Sequence, residues 1–550
     1  MNQLKPMLLT SLKNYNRSQF VKDVTAGIIV AIIALPLSIA LALASGVGPE
    51  AGIFTAIVAG FVISALGGSS VQIAGPTAAF ATIVAGIVAK DGLDGLVIST
   101  ILAGIFLILM GLCHFGSLIK FIPYTITTGF TSGIAVTIVI GQLKDFFGVT
   151  YPDGVKPIET TEKFKAFIEN ISTMNTAALI VGIVSLAILI ISPVIFKKIP
   201  GSLIAVIVGI LMVKFLPLKV STIGNLYTIS NSLPAFHLPA VNLHIIENAL
   251  PNAFTIAVLA AIESLLSCVV ADGMINGKHR SDMELVAQGA GNIASALFGG
   301  IPATGAIART AANIKNGGRT PVAGMVHSIT LVIVLVVLMP FAGMIPMPTI
   351  AVILFVVAYN MCQWRTFVHL IRTAPKSDII VLLTTFILTV VFDLVVAIEI
   401  GMVLACLLFI KRMSEETHVD SWTYVDDDTP DVDEHLRRLP LQIRVYEITG
   451  PLFFGAADAI EHIVVKDFTT CLILRMRSVP ALDSTALNAL QNLTKVCESK
   501  GITLVFSHVN EQPMKVMVKS GFVDLVGKEN FCPNIRAALD HAEKIIATAK

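Results

Sequence analysis

One acidic side chain stands in the middle of a long apolar stretch, and it is the first candidate for chemistry. Glu263 lies twelve residues into the apolar segment that begins at residue 251, which at about 1.5 Å per residue places it near the centre of a bilayer. Hydrocarbon disfavours a charged carboxylate, so Glu263 is a functional candidate whose neutral form is favoured there. Ser267 follows at i+4, on the same helix face. We predict a proton carrier; the alternative is a structural carboxylate bonded to neighbouring helix ends.

A basic side chain, Arg309, follows the second of two breaks in the apolar pattern. Residues 67–80 and 299–309 each leave one apolar helix through Gly, Pro and Thr and start a shorter one. Such breaks are tolerated in a membrane only where they face protein or a wet cavity. Helix N-termini beside Arg309 would attract an anion, and we predict the amides and hydroxyls at Thr77 and Thr304 as its ligands. Two alternatives stay open: the same oxygens bind a cation, or Arg309 pairs with Glu263 for packing alone.

The composition indicates which elements position these residues. Of 550 residues, 55% are hydrophobic and 14% are charged, and the mean hydropathy is +0.82. Because soluble proteins carry about 25% charged residues, we predict a polytopic membrane protein. The seven dispersed cysteines have no metal-binding spacing, so we expect free thiols, no metal and no cofactor. No nucleotide loop or Ser/His/Asp arrangement indicates an enzyme, and a net charge of +1 gives no sign of nucleic-acid binding.

Fourteen apolar segments are predicted to span the membrane, with the third and tenth shortened by the breaks. They lie at residues 23–44, 51–67, 76–89, 95–113, 121–143, 176–196, 201–216, 251–271, 284–298, 303–314, 321–340, 348–363, 378–392 and 394–410. With the basic residues 1–22 inside, most Lys- and Arg-rich loops fall on that same side, which predicts an even number of spans and cytoplasmic termini. Asp272 and Asp282 flank an inside loop, and we expect both to be solvated.

The two halves match each other at a near-constant offset. Gly68 and Gly300 are 232 residues apart, Thr77 and Thr304 are 227 apart, and the Ile-Pro pairs at 122 and 345 are 223 apart. An offset of seven spans predicts an internal repeat, and an odd number of spans per repeat gives the halves opposite topology.

After residue 412 the composition changes to that of a soluble domain. An acidic stretch is followed by alternating strand-like and helix-like segments, including short strands at 441–448 and 452–454, which predict a cytoplasmic α/β domain. Asp483-Ser484 falls at a strand-to-helix turn, where the residues serve either as a helix cap or as a regulatory site. We divide the chain into a cytoplasmic N-terminal segment (1–22), transmembrane repeat 1 (23–216), an extracellular connection (217–250), transmembrane repeat 2 (251–412), an acidic linker (413–439) and a soluble domain (440–550).

Three motifs in order resemble the sulfate permease family of anion transporters. They are Gly48-Pro49-Glu50-Ala51-Gly52-Ile53-Phe54, Gly75-Pro76-Thr77-Ala78-Ala79-Phe80 and the stretch from Glu263 to Arg309. The resemblance continues into residues 440–550, which look like a STAS domain, and so covers nearly the whole chain. Residues 261–274 and 288–313 look closest to the bacterial C4-dicarboxylate branch of the family.

The resemblance implies a fold and a site for this chain. It implies a seven-plus-seven inverted repeat divided into core and gate domains, a homodimer and an elevator-type motion. It implies an anion held between the third and tenth helices, with Arg309 behind the second of them, at Thr77, Ala78, Thr304, Gly305 and Ala306. We add Ser267 to this predicted site.

Departures from the family pattern bear on coupling and selectivity. Sodium-coupled bicarbonate members have Asp and Thr where Glu263 and Ser267 stand, which favours protons here. Leu37 stands after Pro36 where many relatives have Gln, so one polar contact to an oxyanion is missing. Ser484 matches the phosphorylated position of related anti-sigma-factor antagonists, which supports a regulatory role and a cytoplasmic protein partner.

The leading function prediction is proton-coupled uptake of a small dianion, a C4-dicarboxylate such as succinate or sulfate, across the bacterial inner membrane. One alternative is a bicarbonate or chloride exchanger on the same fold. A nucleobase-type permease would share the half-helix site but gives no reason for Arg309 or a STAS domain. The last alternative is a membrane-tethered STAS signalling module with vestigial transport.

Overall fold

The computed structural model divides the chain into two units, Met1–Met402 and Val403–Lys550. The residues that it describes are 4–117, 123–152, 155, 157–195, 200–216, 218–227, 229, 232–239, 243–392, 394–421, 440–461, 463 and 468–549.

The first unit is built from helices, many of them apolar. They are α1 Met7–Ser11, α2 Arg17–Ala44, α3 Pro49–Leu66, α4 Ala78–Leu112, α5 Tyr124–Phe147, α6 Thr160–Glu169, α7 Thr176–Ile195, α8 Gly201–Phe215, α9 Ile223–Leu226, α10 Leu243–Ile275, α11 Ser281–Leu297, α12 Ile307–Lys315, α13 Val322–Ala342, α14 Met347–Cys362, α15 Trp364–Thr373, α16 Lys376–Val391 and α17 Leu394–Glu415, which runs past the unit boundary. Local sequence sets several ends: the Asn16 side chain caps α2, Pro49 opens α3, and Gly148 ends α5 in the left-handed region.

Every predicted span coincides with a helix. Segments 76–89 and 95–113 are the two helical parts of α4, which meet at Gly92, where the backbone is not helical and φ is 71°. Within the described residues, eight helical stretches are long and apolar enough to cross a membrane, and Gly201–Phe215 is a shorter apolar helix. Helix α10 begins at Leu243, inside the predicted extracellular connection, and it continues without interruption through Pro251.

Most of the helix packing falls within two groups that combine both halves of the sequence. In the first group α4 packs on α10 and α11, while α2 and α3 pack on α13. In the second, α5 packs on α14 and α16, and α7 packs on α8 and α14. This interleaving of first-half and second-half helices agrees with the predicted core and gate.

The second unit is a five-stranded sheet with helices on both faces. Its strands are β3 His418–Ser421, β4 Ile443–Thr449, β5 Cys471–Ser478, β6 Thr503–Ser507 and β7 Phe531–Cys532, in that order across the sheet. Strand β3 is antiparallel to β4, and the other pairs are parallel. Its helices are α18 Asp458–Glu461, α19 Ser484–Ser499, α20 Glu511–Lys519, α21 Phe522–Val526 and α22 Ile535–Ala549. Alternate residues of the strands pack towards α19 and towards α22, which gives the sheet an apolar core on each face.

Two local predictions in this unit differ from the structure. The predicted acidic linker contains strand β3, which the sheet recruits by antiparallel pairing with β4; linker residues 422–439 lie outside the described residues. The strand predicted at 452–454 is wrong, because Leu452 makes only an isolated bridge to Leu482 and residues 454–456 form a 3-10 turn. All seven cysteines are free thiols, as predicted.

Candidate functional site

The two predicted breaks meet each other in the first unit. Residues Ala74–Gly75 form strand β1 and residues Thr304–Gly305 form strand β2, and the two pair antiparallel with Gly75 opposite Thr304. A further bond runs from the Ala306 amide to the Ile73 carbonyl, 2.9 Å. The breaks therefore satisfy part of each other's backbone, which irregular chain inside a membrane requires.

Side chains from neighbouring helices satisfy more of this backbone. The Asn292 amide group bonds to both the carbonyl and the N–H of Ala303, at 2.9 and 2.8 Å. The Thr310 hydroxyl accepts the Ile73 N–H at 3.1 Å, and the Asn313 side chain donates to the Val71 carbonyl at 2.8 Å. Both breaks are thus held in one arrangement by polar groups of α11 and α12.

Each break ends at a helix whose first turn lacks a side-chain cap. Helix α4 starts three residues after Gly75 and α12 starts three residues after Thr304, so the antiparallel pairing brings the two helix N-termini towards one place. Neither cap residue, Thr77 nor Ala306, hydrogen-bonds its helix through its side chain. The positive ends of two helices therefore point into this region, a suitable setting for an anion.

Glu263 reaches the first of these helix starts. The Thr77 hydroxyl donates to Glu263 Oε2 at 2.8 Å, and both side chains are half-buried. Ser267, one turn further along α10, is buried, and its hydroxyl has no hydrogen-bond partner among the described residues. The structure brings the predicted proton carrier to the helix start but does not bond Ser267 to it.

The remaining predicted ligands differ in exposure. Thr304 is fully buried, and its hydroxyl donates to the Ala260 carbonyl at 2.9 Å. Gly305 is also buried, against the Gln72 side chain, and Ala78 is 5% exposed. Ala306 is half-buried, so at the second break it is the predicted residue that lies nearest an open surface.

Arg309 lies buried behind the strand pair, at 2% exposure. Its Nη2 donates to Ser38 Oγ at 3.3 Å and to the Pro76 carbonyl at 3.2 Å, while Nη1 has no partner among the described residues. Glu263 bonds to Thr77 instead, so the alternative in which Arg309 pairs with Glu263 does not describe this structure. A buried guanidinium without a carboxylate partner is unfavourable unless another negative charge approaches it.

A buried carboxylate that sequence reasoning missed anchors the site from behind. Glu284, the fourth residue of α11, is fully buried and accepts five hydrogen bonds. The donors are the Gly68 and Ser69 amides, Gln72 Nε2, the Ser264 hydroxyl and Gln288 Nε2, at 2.7–3.2 Å. It therefore joins the first break to the turn of α10 that carries Glu263. Because Glu284 lies at the edge of a predicted span, its sequence position suggests a solvated side chain. The polar Gln72 inside the first break is the sequence feature that indicates a buried polar partner.

The prediction that Asp282 is solvated is wrong. Asp282 is 1% exposed, rather than solvated, and its carboxylate accepts the Gly116 amide at 3.0 Å and lies 2.7 Å from His114 Nδ1. The loop after α4 folds back over it, which a charge pattern alone does not reveal.

In the second unit, Asp483 and Ser484 lie at the turn before α19, and only Asp483 caps the helix. Asp483 is the helix cap: one carboxylate oxygen accepts the Ala486 amide and the other the Phe454 amide, both at 2.9 Å. Ser484 is the first residue of α19 and is exposed. The capping is therefore performed by Asp483, which leaves the Ser484 hydroxyl accessible.

The helices, the paired breaks and the uncapped helix starts define a class of protein. They are the features of membrane transporters that bind their substrate between discontinuous helices. Within that class, the chain belongs to the sulfate permease family, whose profile matches residues 20–385; a STAS domain matches residues 437–539. The chain is accordingly a multi-pass membrane transporter of anions, and not an enzyme.

Similar proteins carry transporter names. The chain is 39% identical over 544 residues to YvdB of Bacillus subtilis, named as a candidate sulfate transporter, covering 97% of this chain and 98% of YvdB. It is 32% identical over 488 residues to the bicarbonate transporter BicA of Picosynechococcus, covering 86% of this chain and 85% of BicA.

Solved structures share the fold. The overall structure of SLC26A9 matches with a TM-score of 0.88 at 18% identity, covering all of this chain and 94% of the other. The transmembrane domain of a cyanobacterial BicA matches with a TM-score of 0.62 at 28% identity, covering 71% of this chain and 98% of the other. The predicted helical transporter fold with a STAS domain is confirmed.

Proposed function

We propose that the chain is a secondary active transporter that takes up a small dianion together with protons. The dianion is a C4-dicarboxylate such as succinate, or sulfate. The observation that carries the proposal is the hydrogen bond from Thr77 to Glu263, because it joins a titratable group directly to the start of a helix at the candidate anion site. A proton bound at Glu263 and an anion bound at that helix start would stabilise each other.

The charge balance of the site supports an anionic substrate. Arg309 supplies a buried positive charge without a carboxylate partner, and the starts of α4 and α12 add partial positive charge. An anion held by the amides at Thr77, Ala78 and Ala306 would provide the missing negative charge. Glu263 opposes it while ionised, which is why proton uptake would favour binding.

An elevator-type motion fits the division of the first unit into two helix groups. Both breaks, Glu263 and Arg309 belong to the group that contains α2–α4 and α10–α13. We propose that this group carries the site as one body past the group that contains α5, α7, α8, α14 and α16. The β1–β2 pairing and the Glu284 bonds would keep the site intact during the motion.

Uptake by purified protein in liposomes tests the proposal. Radiolabelled succinate and sulfate are offered in parallel, with an inward proton gradient, with an inward sodium gradient and with neither. We expect uptake of one of the two dianions that rises with the proton gradient and is unchanged by sodium. Uptake of neither dianion, or uptake driven by sodium alone, would reject it.

Bicarbonate exchange is the second candidate, and the similarity to BicA over most of the chain favours it. In the same liposomes, internal bicarbonate or chloride should then accelerate uptake of external labelled bicarbonate. Acceleration without any dianion uptake would replace the leading proposal with this one.

We further propose that the transporter works as a homodimer in the bacterial cytoplasmic membrane, with both termini cytoplasmic and a protein partner at the STAS domain. The exposed Ser484 hydroxyl at the start of α19 supports a phosphorylation site there, since a helix N-terminus accommodates negative charge. Single-cysteine labelling from each side of intact cells tests the orientation, and phosphopeptide mapping with a Ser484→Ala control tests the modification.

A further inference from the structure

Helix α15 separates its polar and apolar side chains completely. At 100° per residue, Arg365, His369 and Arg372 fall on one side of the helix together with Thr366 and Thr373. The opposite side carries Trp364, Phe367, Val368, Leu370 and Ile371. No residue of α15 is buried within the protein. A short helix with this pattern is typical of a segment that lies in the plane of a membrane surface.

The chain turns sharply to place α15 between two apolar helices. Gln363 ends α14 and starts α15 with φ 44° and ψ 43°, a left-handed conformation that breaks the helix axis. After α15, Pro375 precedes α16, and the Phe367 ring packs on Phe386 of α16 at 5.2 Å. Helix α15 is therefore fixed at the end of a membrane-crossing pair.

Two aromatic side chains indicate where the membrane surface lies. Tyr359 near the end of α14 is 62% exposed and Trp364 at the start of α15 is 47% exposed. The Trp364 indole N–H lies 3.4 Å from the Tyr359 hydroxyl. Exposed Trp and Tyr at a helix end are typical of the boundary between hydrocarbon and headgroups.

The basic side chains beside this boundary lack acidic partners. Within the described residues, Arg365, Arg372 and Lys376 form no ion pair, and the Arg365 guanidinium lies 5.9 Å from the Trp364 ring. Asp378 is the one acid between residues 364 and 380, and the Ser377 hydroxyl bonds to it. The basic side of α15 is suited to the headgroups of anionic lipids, and its apolar side is suited to their acyl chains. A helix at the boundary between headgroups and acyl chains can contact both.

We propose that α15 is an interfacial helix that binds the headgroups of anionic phospholipids through Arg365 and Arg372. Its apolar face contacts the acyl chains of the same lipids through Trp364 and Ile371. The proposal is independent of the transported anion, because α15 belongs to neither break and touches none of the predicted ligands.

Trp364 can report on this lipid directly. The sequence has two tryptophans, so a Trp422→Phe variant of the full chain leaves Trp364 as the single fluorophore. The protein is reconstituted in phosphatidylcholine that contains an equal mole fraction of brominated phosphatidylglycerol or of brominated phosphatidylcholine. We expect stronger quenching by brominated phosphatidylglycerol. Since each surface cation contributes about a fivefold preference for anionic lipid, Arg365→Gln with Arg372→Gln should remove most of it.

Two further variants control for charge and for folding. Lys495→Gln with Lys519→Gln makes the same change of charge on exposed side chains of the second unit and should leave the preference intact. Arg365→Lys with Arg372→Lys keeps the positive charge and should also keep the preference for the anionic lipid. Equal quenching by the two brominated lipids, quenching by neither, or a preference that survives the Gln substitutions would each overturn the proposal.

Discussion

The Thr77 hydroxyl and the Glu263 carboxylate lie 2.8 Å apart although they are 186 residues apart in sequence. Thr77 stands at the cap position of α4, yet its hydroxyl donates to Glu263 and accepts no hydrogen bond from the helix amides. While Glu263 is ionised it must accept this bond. Once protonated it can donate to the Thr77 hydroxyl instead. The Thr77 O–H group can then donate a hydrogen bond to an anion at the helix start. On the proposed function, protonation and anion binding would be linked through this one hydrogen bond.

Replacing Glu263 by Gln should uncouple transport from pH. The amide oxygen can still accept the Thr77 hydroxyl, so we expect a folded protein, but no proton can be taken up at this position. Dianion uptake into liposomes should become nearly independent of external pH, whereas in the unchanged protein we expect it to rise as pH falls. Glu399→Gln, which alters an exposed carboxylate of α17, serves as the control and should retain the pH profile. A pH profile that survives Glu263→Gln would place the proton carrier elsewhere.

Two glycines at the strand pair should not tolerate a methyl group. A Cβ on Gly75 would lie 2.3 Å from Arg309 Nη1, and one on Gly305 would lie 2.4 Å from Gln72 Nε2. Overpacking of this kind costs about 1–3 kcal/mol, so Gly75→Ala should displace Arg309 and raise the KM for the anion by about tenfold. Gly86→Ala in α4 is the matched control, since a Cβ there meets nothing within 4 Å. An unchanged KM in Gly75→Ala would show that the Arg309 position does not affect binding.

The sequence predicts the two breaks, Glu263 and Arg309 because each is a rare residue pattern within hydrocarbon. A carboxylate or a Gly-Pro-Thr run stands out there, since the membrane penalises charge and open backbone alike. The pairing of β1 with β2 is not predictable in the same way. Ala74 and Gly75 belong to the first predicted break, and Thr304 and Gly305 belong to the start of the tenth predicted span; only the tertiary contact shows that they are strand.

The supporting polar residues escape sequence reasoning for a related reason. Glu284 and Asp282 stand within the first turn of α11, where a solvated acid and a buried one look identical in sequence. Their burial depends on the first break and on the loop after α4, which lie more than 150 residues away in the chain. Asn292 stands in mid-span, but its sequence position alone does not reveal that its partner is the Ala303 backbone.

Removing Glu284 should destabilise the first unit. Glu284→Ala leaves the Gly68 and Ser69 amides without their acceptor, and each buried unpaired donor costs about 1–3 kcal/mol. We expect a clear fall in the thermal unfolding temperature of the detergent-purified protein, measured by intrinsic fluorescence. Glu247→Ala, on an exposed part of α10, should leave that temperature unchanged. Equal stability of the two variants would contradict the role assigned to Glu284.

A cysteine placed at position 484 should react faster with a thiol reagent than Cys471 and Cys497 of the same unit. Burial raises the pKa of Cys471 to about 12 and that of Cys497 to about 11, so little thiolate forms at pH 8, and both side chains are at most 1% exposed. A Ser484→Cys variant places a thiol at an exposed position at the start of a helix, which favours the thiolate. With iodoacetamide at pH 8 and peptide mass spectrometry, we expect rapid alkylation of this variant at position 484 and slow alkylation of Cys471 and Cys497 until the protein is denatured. Slow alkylation at position 484 would mean that a modifying enzyme cannot reach Ser484 either.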